Sequence, residues 1–196
     1  RRFNKTLMKF CLNTSTIKPQ PLLKKIELAG VAGYGGIELW LNDVYDHIGR
    51  GGEVSEVEKA LADHGLIVPS VIAIRQWGET EGLEYELVKD EARRRFALAA
   101  RLGAPYIVAT PPFEMAAQEH LPGRYRDLLQ IGREEGIRPT FEYISFFKSV
   151  NNLDDAWRIV QETDDADATI ILDAFHTWNS NSNTELLREI PVEKIS

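Results

Sequence analysis

The chain has 196 residues, 43% hydrophobic and 27% charged, which is the composition of a folded globular protein and excludes disordered and collagen-like classes. Its 30 acidic residues outnumber 23 Lys and Arg, and the net charge of -7 argues against a surface for nucleic-acid phosphates or anionic lipid. Because the single cysteine, Cys11, cannot form an internal disulfide and no apolar run is long enough to span a membrane, we expect a cytoplasmic protein that binds neither nucleic acid nor membrane.

Short apolar runs recur roughly every thirty residues, and each is followed by a longer stretch with helical periodicity. In chain order, the predicted strands are Met8–Leu12, Gly36–Trp40, Leu66–Ile72, Tyr106–Ala109, Thr140–Ile144 and Thr169–Asp173. The predicted helices are Pro21–Ala32, Val54–His64, Val88–Leu102, Gly123–Glu135, Leu153–Glu162 and Thr184–Glu189. No linker or change in composition divides the chain, so we expect a single domain over residues 1–196 built from strand-helix units.

This α/β alternation suits either an open doubly wound sheet or a closed (β/α)8 TIM barrel. No Gly-rich phosphate loop follows the first strand, where Asn13–Thr16 stands instead. Polar and aromatic residues follow almost every strand, among them Trp40, Arg75, Glu142 and Asp173. This distribution favours the barrel, because barrel active sites are assembled at the carboxyl ends of many strands.

The length predicts only part of a barrel. A full barrel takes about 250 residues, or about thirty per unit, so this chain accommodates about the first six units. Pro191–Ser196 has the pattern of a lead-in to a seventh strand. We therefore expect a barrel truncated before strands seven and eight.

Two acids stand within otherwise apolar segments, Glu142 in the fifth predicted strand and Asp173 at the end of the sixth. Because side chains alternate along a strand, Phe141 and Tyr143 should pack beneath helices while Glu142 points inward. A carboxylate in that position stays ionised only when it is paired, hydrogen-bonded or bound to a metal.

The two carboxylates, with His176 three residues after Asp173, make half of an oxygen-rich site for Mg²⁺ or Mn²⁺. An equally open alternative is structural. In that case the acids pair with Arg75, with Arg138 or with backbone donors inside the barrel.

Three segments resemble signatures of the xylose-isomerase-like TIM barrel superfamily of sugar phosphate isomerases and epimerases: Gly33–Trp40, Phe141–Tyr143 and Leu172–His176. The resemblance implies that Glu142 and Asp173 bind a divalent metal and that Glu142 is also a catalytic acid-base residue. It assigns His176 a contact with a substrate oxygen. The family's two further ligands, a His on strand seven and a Glu on strand eight, would fall beyond Ser196.

The resemblance also implies a function, namely a divalent-metal-dependent sugar or sugar-phosphate isomerase or epimerase that transfers a proton through a metal-stabilised enediolate. Mn²⁺ or Mg²⁺ is the first expectation for the metal, with Co²⁺ or Zn²⁺ as alternatives. The expected partner is a small sugar or polyol-like substrate, and a homo-oligomer is left open.

Three more residues are candidate substrate contacts. Glu38 should face the barrel interior, where it either contacts substrate or anchors a hydrogen-bond network. Trp40 offers an apolar wall for a sugar ring or only packs between loops, as does Trp178. Arg75 is a contact for an anion or a substrate hydroxyl, or a solvated loop residue.

Other functions stay open on the same scaffold. A 3-dehydroshikimate dehydratase-like lyase has a similar Gly36–Trp40 segment. The related zinc-dependent abasic-site endonuclease requires more histidine ligands on the second and third strands and a basic DNA groove, and this sequence offers neither clearly. The chain also suits an inactive fragment or a structural half completed by a partner, so isomerase activity is expected of the full-length parent and left open for this chain alone.

Overall fold

The computed structural model describes residues 9–114, 118–180 and 182–196. The strands lie in one sheet in chain order. They are β1 (Cys11–Asn13), β2 (Gly36–Trp40), β3 (Ser70–Ile74), β4 (Tyr106–Ala109) and β5 (Arg138–Phe141). The helices between and after them are α1 (Leu22–Val31), α2 (Leu41–Gly49), α3 (Val54–Asp63), α4 (Gly82–Arg101), α5 (Leu121–Glu135), α6 (Leu153–Glu162) and α7 (Ala174–Asn179). None of the helices in these ranges is long and apolar enough to cross a membrane.

By its internal contacts the chain divides into two compact units. The amino-terminal unit comprises Arg1–Val71 and Leu102–Ala104, and the carboxy-terminal unit comprises Ile72–Arg101 and Pro105–Ser196. The expectation of a single domain stays a prediction.

The amino-terminal unit is built around the parallel pair β1 and β2, in which Asn13 lies opposite Glu38. Helix α3 presents Val57 and Leu61 on one face, four residues apart, and both are buried. Ile37 in β2 is fully buried as well. Burying apolar side chains of this size contributes about 1.5–3 kcal/mol each, so this packing fixes the carboxyl ends of the first strands.

In the carboxy-terminal unit, β4 and β5 are parallel neighbours, with Ala109 opposite Phe141. Phe141 packs into an aromatic core with Trp77, at a ring-centroid distance of 5.7 Å, and with Tyr125 of α5, at 5.5 Å. All three side chains are fully buried. Phe141 therefore faces the helix layer, as the alternation of side chains predicts, and the residues on either side of it face the other way.

Two predicted strands are displaced along the chain. The first, expected over Met8–Leu12, is Cys11–Asn13, and the first residue of the prediction lies outside the described residues. The third, expected over Leu66–Ile72, is Ser70–Ile74. Ile67 forms a parallel bridge with Gly36, and Pro69, which has no backbone N–H to donate, interrupts the segment before the strand resumes at Ser70.

The fifth and sixth strands are shorter than predicted. The fifth ends at Phe141 and does not continue to Ile144, so Glu142 lies just beyond the strand end. In place of the sixth strand, Thr169–Asp173, only Ile170 forms parallel bridges, with Phe141 on one side and Ile195 on the other. The predicted lead-in near the end of the chain thus pairs with the sixth segment.

The helix predictions erred where the helices are short or begin with polar residues. Helix α2 was missed because it starts directly at the end of β2 and opens with polar residues, and α7 because its six residues are too few to show a period. Thr184–Glu189 is a 3₁₀ helix over Thr184–Arg188. Helix α4 begins at Gly82 and not Val88, and the apolar residues of its first turns, Leu83 and Leu87, are exposed.

Candidate metal and substrate site

The structure brings together Glu142, Asp173 and His176 in the carboxy-terminal unit. Each side chain offers one ligand atom, and the three atoms all lie within 4.8 Å of one another. All three residues are partly buried. They come together because β5 and the Ile170 segment are parallel neighbours, whose carboxyl ends lie at the same edge. These residues are called the triad below.

Asp173 is oriented by the backbone that follows it. Its side chain caps α7, with Oδ1 accepting the backbone N–H of His176 at 2.9 Å. The predicted alternative, in which backbone donors satisfy these acids, therefore holds for one oxygen of Asp173. Arg138, one of the two arginines considered as a partner for these acids, pairs instead with Asp167 at 2.9 Å.

The hydrogen bonds of His176 define which ring nitrogen carries the proton. Its Nδ1 accepts the backbone N–H of Ser145 at 3.4 Å and lies 3.2 Å from the Ser145 hydroxyl oxygen. Because a backbone N–H can only donate, Nδ1 is an acceptor, and a neutral imidazole then carries its hydrogen on Nε2. Burial lowers the pKa of His176, although Asp173 acts in the opposite direction. The Nδ1 atom of His176 is thus an acceptor toward Ser145.

Tyr143 supports the same corner through a contact that the sequence did not reveal. It is fully buried, as predicted, but its hydroxyl is hydrogen-bonded to the hydroxyl of Thr177. Since Thr177 donates its own hydrogen to the carbonyl of Asp173 at 2.7 Å, Tyr143 must be the donor to Thr177. Burial raises the pKa of Tyr143, as do the charges of Asp173 and Glu142, which keeps the phenol protonated for this role.

Glu38 lies in the amino-terminal unit, where both of its carboxylate oxygens accept hydrogen bonds. Asn13 donates through Nδ2 to one oxygen and Ser70 through its hydroxyl to the other, each at 2.5 Å. These bonds link a residue from each of the first three strands. The network role considered for Glu38 is therefore present, and a substrate role stays a prediction.

The remaining predicted contacts are dispersed. Trp40 is partly buried in the amino-terminal unit, and its backbone N–H donates to the Thr14 hydroxyl at 3.0 Å. Arg75 is exposed in the carboxy-terminal unit, directly after β3. Trp178 is 88% exposed. Substrate roles for Trp40 and Arg75 stay predictions.

Sequence reasoning missed four phenylalanines around the triad. Edge-to-face ring contacts join Phe113 to Phe147, with centroids 4.9 Å apart, and Phe147 to Phe146, at 5.4 Å. The imidazole of His176 then contacts Phe146 at 5.6 Å and Phe175 at 5.3 Å. We call these four phenylalanines the aromatic strip. The Phe146-Phe147 pair and Phe175, two residues after Asp173, were the signal in the sequence.

The loops that carry the aromatic strip are fastened to each other. The backbone N–H of Lys148 donates to the carbonyl of Phe113 at 2.9 Å, and the Lys148 ammonium pairs with Glu114 at 2.6 Å. The Ser149 hydroxyl donates to the carbonyl of Pro112. The segments after β4 and β5 therefore hold Phe113, Phe146 and Phe147 of the strip in place.

Comparison with known proteins identifies the fold. Residues 26–196 match the family model described as xylose isomerase-like TIM barrel. The chain belongs to this family. The predicted fold class is confirmed, and the five strands with the bridged segment at Ile170 account for about the first six units of the barrel.

Curated relatives have two different activities. A 3-dehydroshikimate dehydratase from Pseudomonas aeruginosa is 28% identical over 182 residues, which cover 89% of this chain and 27% of the relative. An inosose isomerase from Halalkalibacterium halodurans is 22% identical, over 96% of this chain and 70% of the relative. The chain thus spans about a quarter of the dehydratase's length.

Solved structures show the same fold. A crystal structure of the IolI protein with a binding zinc atom has a TM-score of 0.87 at 20% identity, over 96% of this chain and 70% of that one. A xylose isomerase-like TIM barrel/4-hydroxyphenylpyruvate dioxygenase fusion protein has a TM-score of 0.86 at 25% identity, over 96% of this chain and 30% of that one.

Proposed function

We propose that this chain forms part of a divalent-metal-dependent isomerase or epimerase that moves a proton beside the carbonyl of a small sugar or polyol-like substrate. The observation that carries the proposal is the triad, whose ligand atoms lie within 4.8 Å of one another. An inosose isomerase among the relatives supports this class of reaction.

The donor set fits a divalent metal. Glu142 and Asp173 would hold it, because paired carboxylates suit Mg²⁺ and Mn²⁺ and also serve as ligands for Zn²⁺ and Co²⁺. The zinc atom named for the IolI structure supports a metal of this charge. When bound, such a metal acts as a Lewis acid that stabilises negative charge developing on a substrate oxygen.

The side chains of this site then have separate roles. The Glu142 carboxylate removes the proton from the carbon beside the carbonyl and returns it to the carbonyl carbon, while the proton of the adjacent hydroxyl moves to the former carbonyl oxygen, as an aldose-ketose type of isomerisation requires. His176 donates its Nε2–H to a substrate oxygen, since its Nδ1 is already engaged by Ser145. Thr177 and Tyr143 hold Asp173 and the start of α7 in place.

Proton transfer tests this proposal directly. In heavy water, the chain supplied with diamagnetic Mg²⁺ should exchange the hydrogen beside the carbonyl of an inosose for deuterium, visible as loss of its proton NMR signal. Glu142→Gln should abolish the exchange, whereas Glu86→Gln, which removes an exposed acid of α4, should leave it intact. No exchange above the metal-only rate in the unaltered chain would contradict the proposal.

A dehydratase is the second candidate, favoured by the 28% identity to the 3-dehydroshikimate dehydratase. It requires the same first step at Glu142, after which the adjacent hydroxyl leaves with a proton as water. Incubation with 3-dehydroshikimate separates the two candidates, because dehydration yields a catechol whose ultraviolet absorbance is easily followed. Absorbance growth with 3-dehydroshikimate and no conversion of inosose would favour the dehydratase.

A further inference from the structure

The aromatic strip exposes an unusual amount of apolar ring surface beside charged ligands. Phe113 is 53% exposed, Phe146 65% and Phe175 61%. Leaving such rings in water forgoes much of the about 1.5–3 kcal/mol that burial of each would contribute. The rings are nevertheless ordered against one another and against His176. An apolar partner of matching shape is therefore expected over them.

The shape of a polyol decides whether it can be that partner. In a six-membered ring whose hydroxyls point outward, the C–H bonds collect on the two faces and make a compact apolar surface. An open-chain polyol of the same composition presents hydroxyls along its whole length. Aromatic side chains pack on apolar faces and cannot hydrogen-bond to hydroxyls through their ring carbons, so the strip favours the cyclic shape.

We propose that Phe146 and Phe175, which both contact the imidazole of His176, select a cyclic polyol by stacking against its C–H face. The inference rests on the proposed function for the identity of the reacting end of the substrate. It adds that the oxygen-bearing edge of the ring faces the triad while one face of the ring covers the phenylalanines.

Saturation-transfer NMR on the metal-free chain measures this selection without turnover. The probes are myo-inositol and sorbitol, which have equal numbers of carbons and hydroxyls but are cyclic and open, respectively. With the aromatic protons irradiated, myo-inositol should receive about threefold more saturation than sorbitol, as expected when one ring contact distinguishes the two. The doubly substituted Phe146→Ala/Phe175→Ala chain should lose this difference.

Two further variants keep the test decisive. Phe146→Leu/Phe175→Leu retains apolar volume but removes the flat rings, so it should also lose the difference if the alanine variant fails to fold. Leu83→Ala, at an exposed leucine of α4, should keep it. Equal saturation of the two probes, no saturation of either, or an unchanged preference in the leucine variant would overturn the proposal.

Other outcomes separate a failure of the aromatic selection from a failure of the proposed isomerase function. If the ring preference is present but deuterium exchange and metal binding are absent, the proposed function fails and the aromatic selection stands. If exchange occurs without a ring preference, the selection fails alone. Light scattering that shows a dimer dissolved by Phe146→Ala/Phe175→Ala would assign the strip to contact between copies of the chain and overturn the inference.

Discussion

Asp173 accepts the backbone N–H of His176 at 2.9 Å, so the same carboxylate caps helix α7 and stands among the triad's ligand atoms. One oxygen fixes the helix start, and the residue as a whole sets the distance between its carboxylate and the imidazole. Because the cap is a local interaction, the Asp-x-x-His spacing carries the geometry with it.

The two roles of Asp173 are separable by substitution. Asp173→Asn keeps a good capping oxygen but removes the charge, so we expect a change in the free energy of unfolding below about 0.5 kcal/mol and a large loss of metal affinity. Asp173→Ala should lose the affinity and also about 1 kcal/mol of stability. Urea unfolding and metal titration of both variants measure this. Equal destabilisation by Asn and Ala would show that the cap contributes nothing.

The hydroxyl of Tyr143 should be coupled to Thr177. Tyr143→Phe leaves the buried ring in place and removes one hydrogen bond, which we expect to cost about 1 kcal/mol in the free energy of unfolding. Thr177→Val should cost more, because Thr177 also donates to the carbonyl of Asp173. A double-mutant cycle should give a coupling energy of about 0.5–1.5 kcal/mol, and additive effects would mean that the two hydroxyls do not interact.

The Cys11 thiol should react slowly with alkylating agents because burial and the charge of Glu38 raise its pKa. Burial and the negative charge of Glu38 both raise the pKa of Cys11, which lowers the fraction of reactive thiolate at any pH below that pKa. Iodoacetamide at pH 8 should therefore alkylate the folded chain more slowly than the urea-unfolded chain. Glu38→Gln should speed the folded reaction and leave the unfolded rate unchanged. An unaltered folded rate would exclude an electrostatic effect of Glu38 on the thiol.

Two glycines of the carboxy-terminal unit should respond oppositely to alanine. A Cβ on Gly78 would lie 2.7 Å from side-chain atoms of Leu121 and Pro112, so Gly78→Ala should destabilise by about 1–3 kcal/mol. A Cβ on Gly123, within α5, meets nothing within 4 Å, so Gly123→Ala should stabilise by about 0.5–1 kcal/mol. Thermal unfolding of both compares the signs. Destabilisation by Gly123→Ala would contradict the open space described there.

The sequence predicted those features that arise from local patterns. Apolar runs placed β2 and β4 at their observed bounds, and the Asn152 cap and apolar face placed α6. It also grouped Glu142, Asp173 and His176 as one candidate site, and the structure brings them together. These results depend on periods of two and 3.6 residues, which are visible along the chain itself.

What escaped prediction depends on contacts between distant segments. Tyr143 carried the pattern of a packed aromatic residue, and only the approach of Thr177, 34 residues later, gives its hydroxyl a partner. The ring contact of Phe113 with Phe147 likewise requires the loops after β4 and β5 to meet. Helix α7 was too short to show a period, and its start is fixed by the Asp173 cap.

The central claim is that Glu142 and Asp173 hold a divalent metal, and calorimetric titration of the metal-free chain with Mn²⁺ tests it most directly. We predict one binding event per chain. Glu142→Gln and Asp173→Asn should each weaken it by about a hundredfold, equivalent to about 2.7 kcal/mol, whereas Glu86→Gln in α4 should leave it unchanged. Absence of binding in the unaltered chain, or equal affinity in all three variants, would contradict the claim.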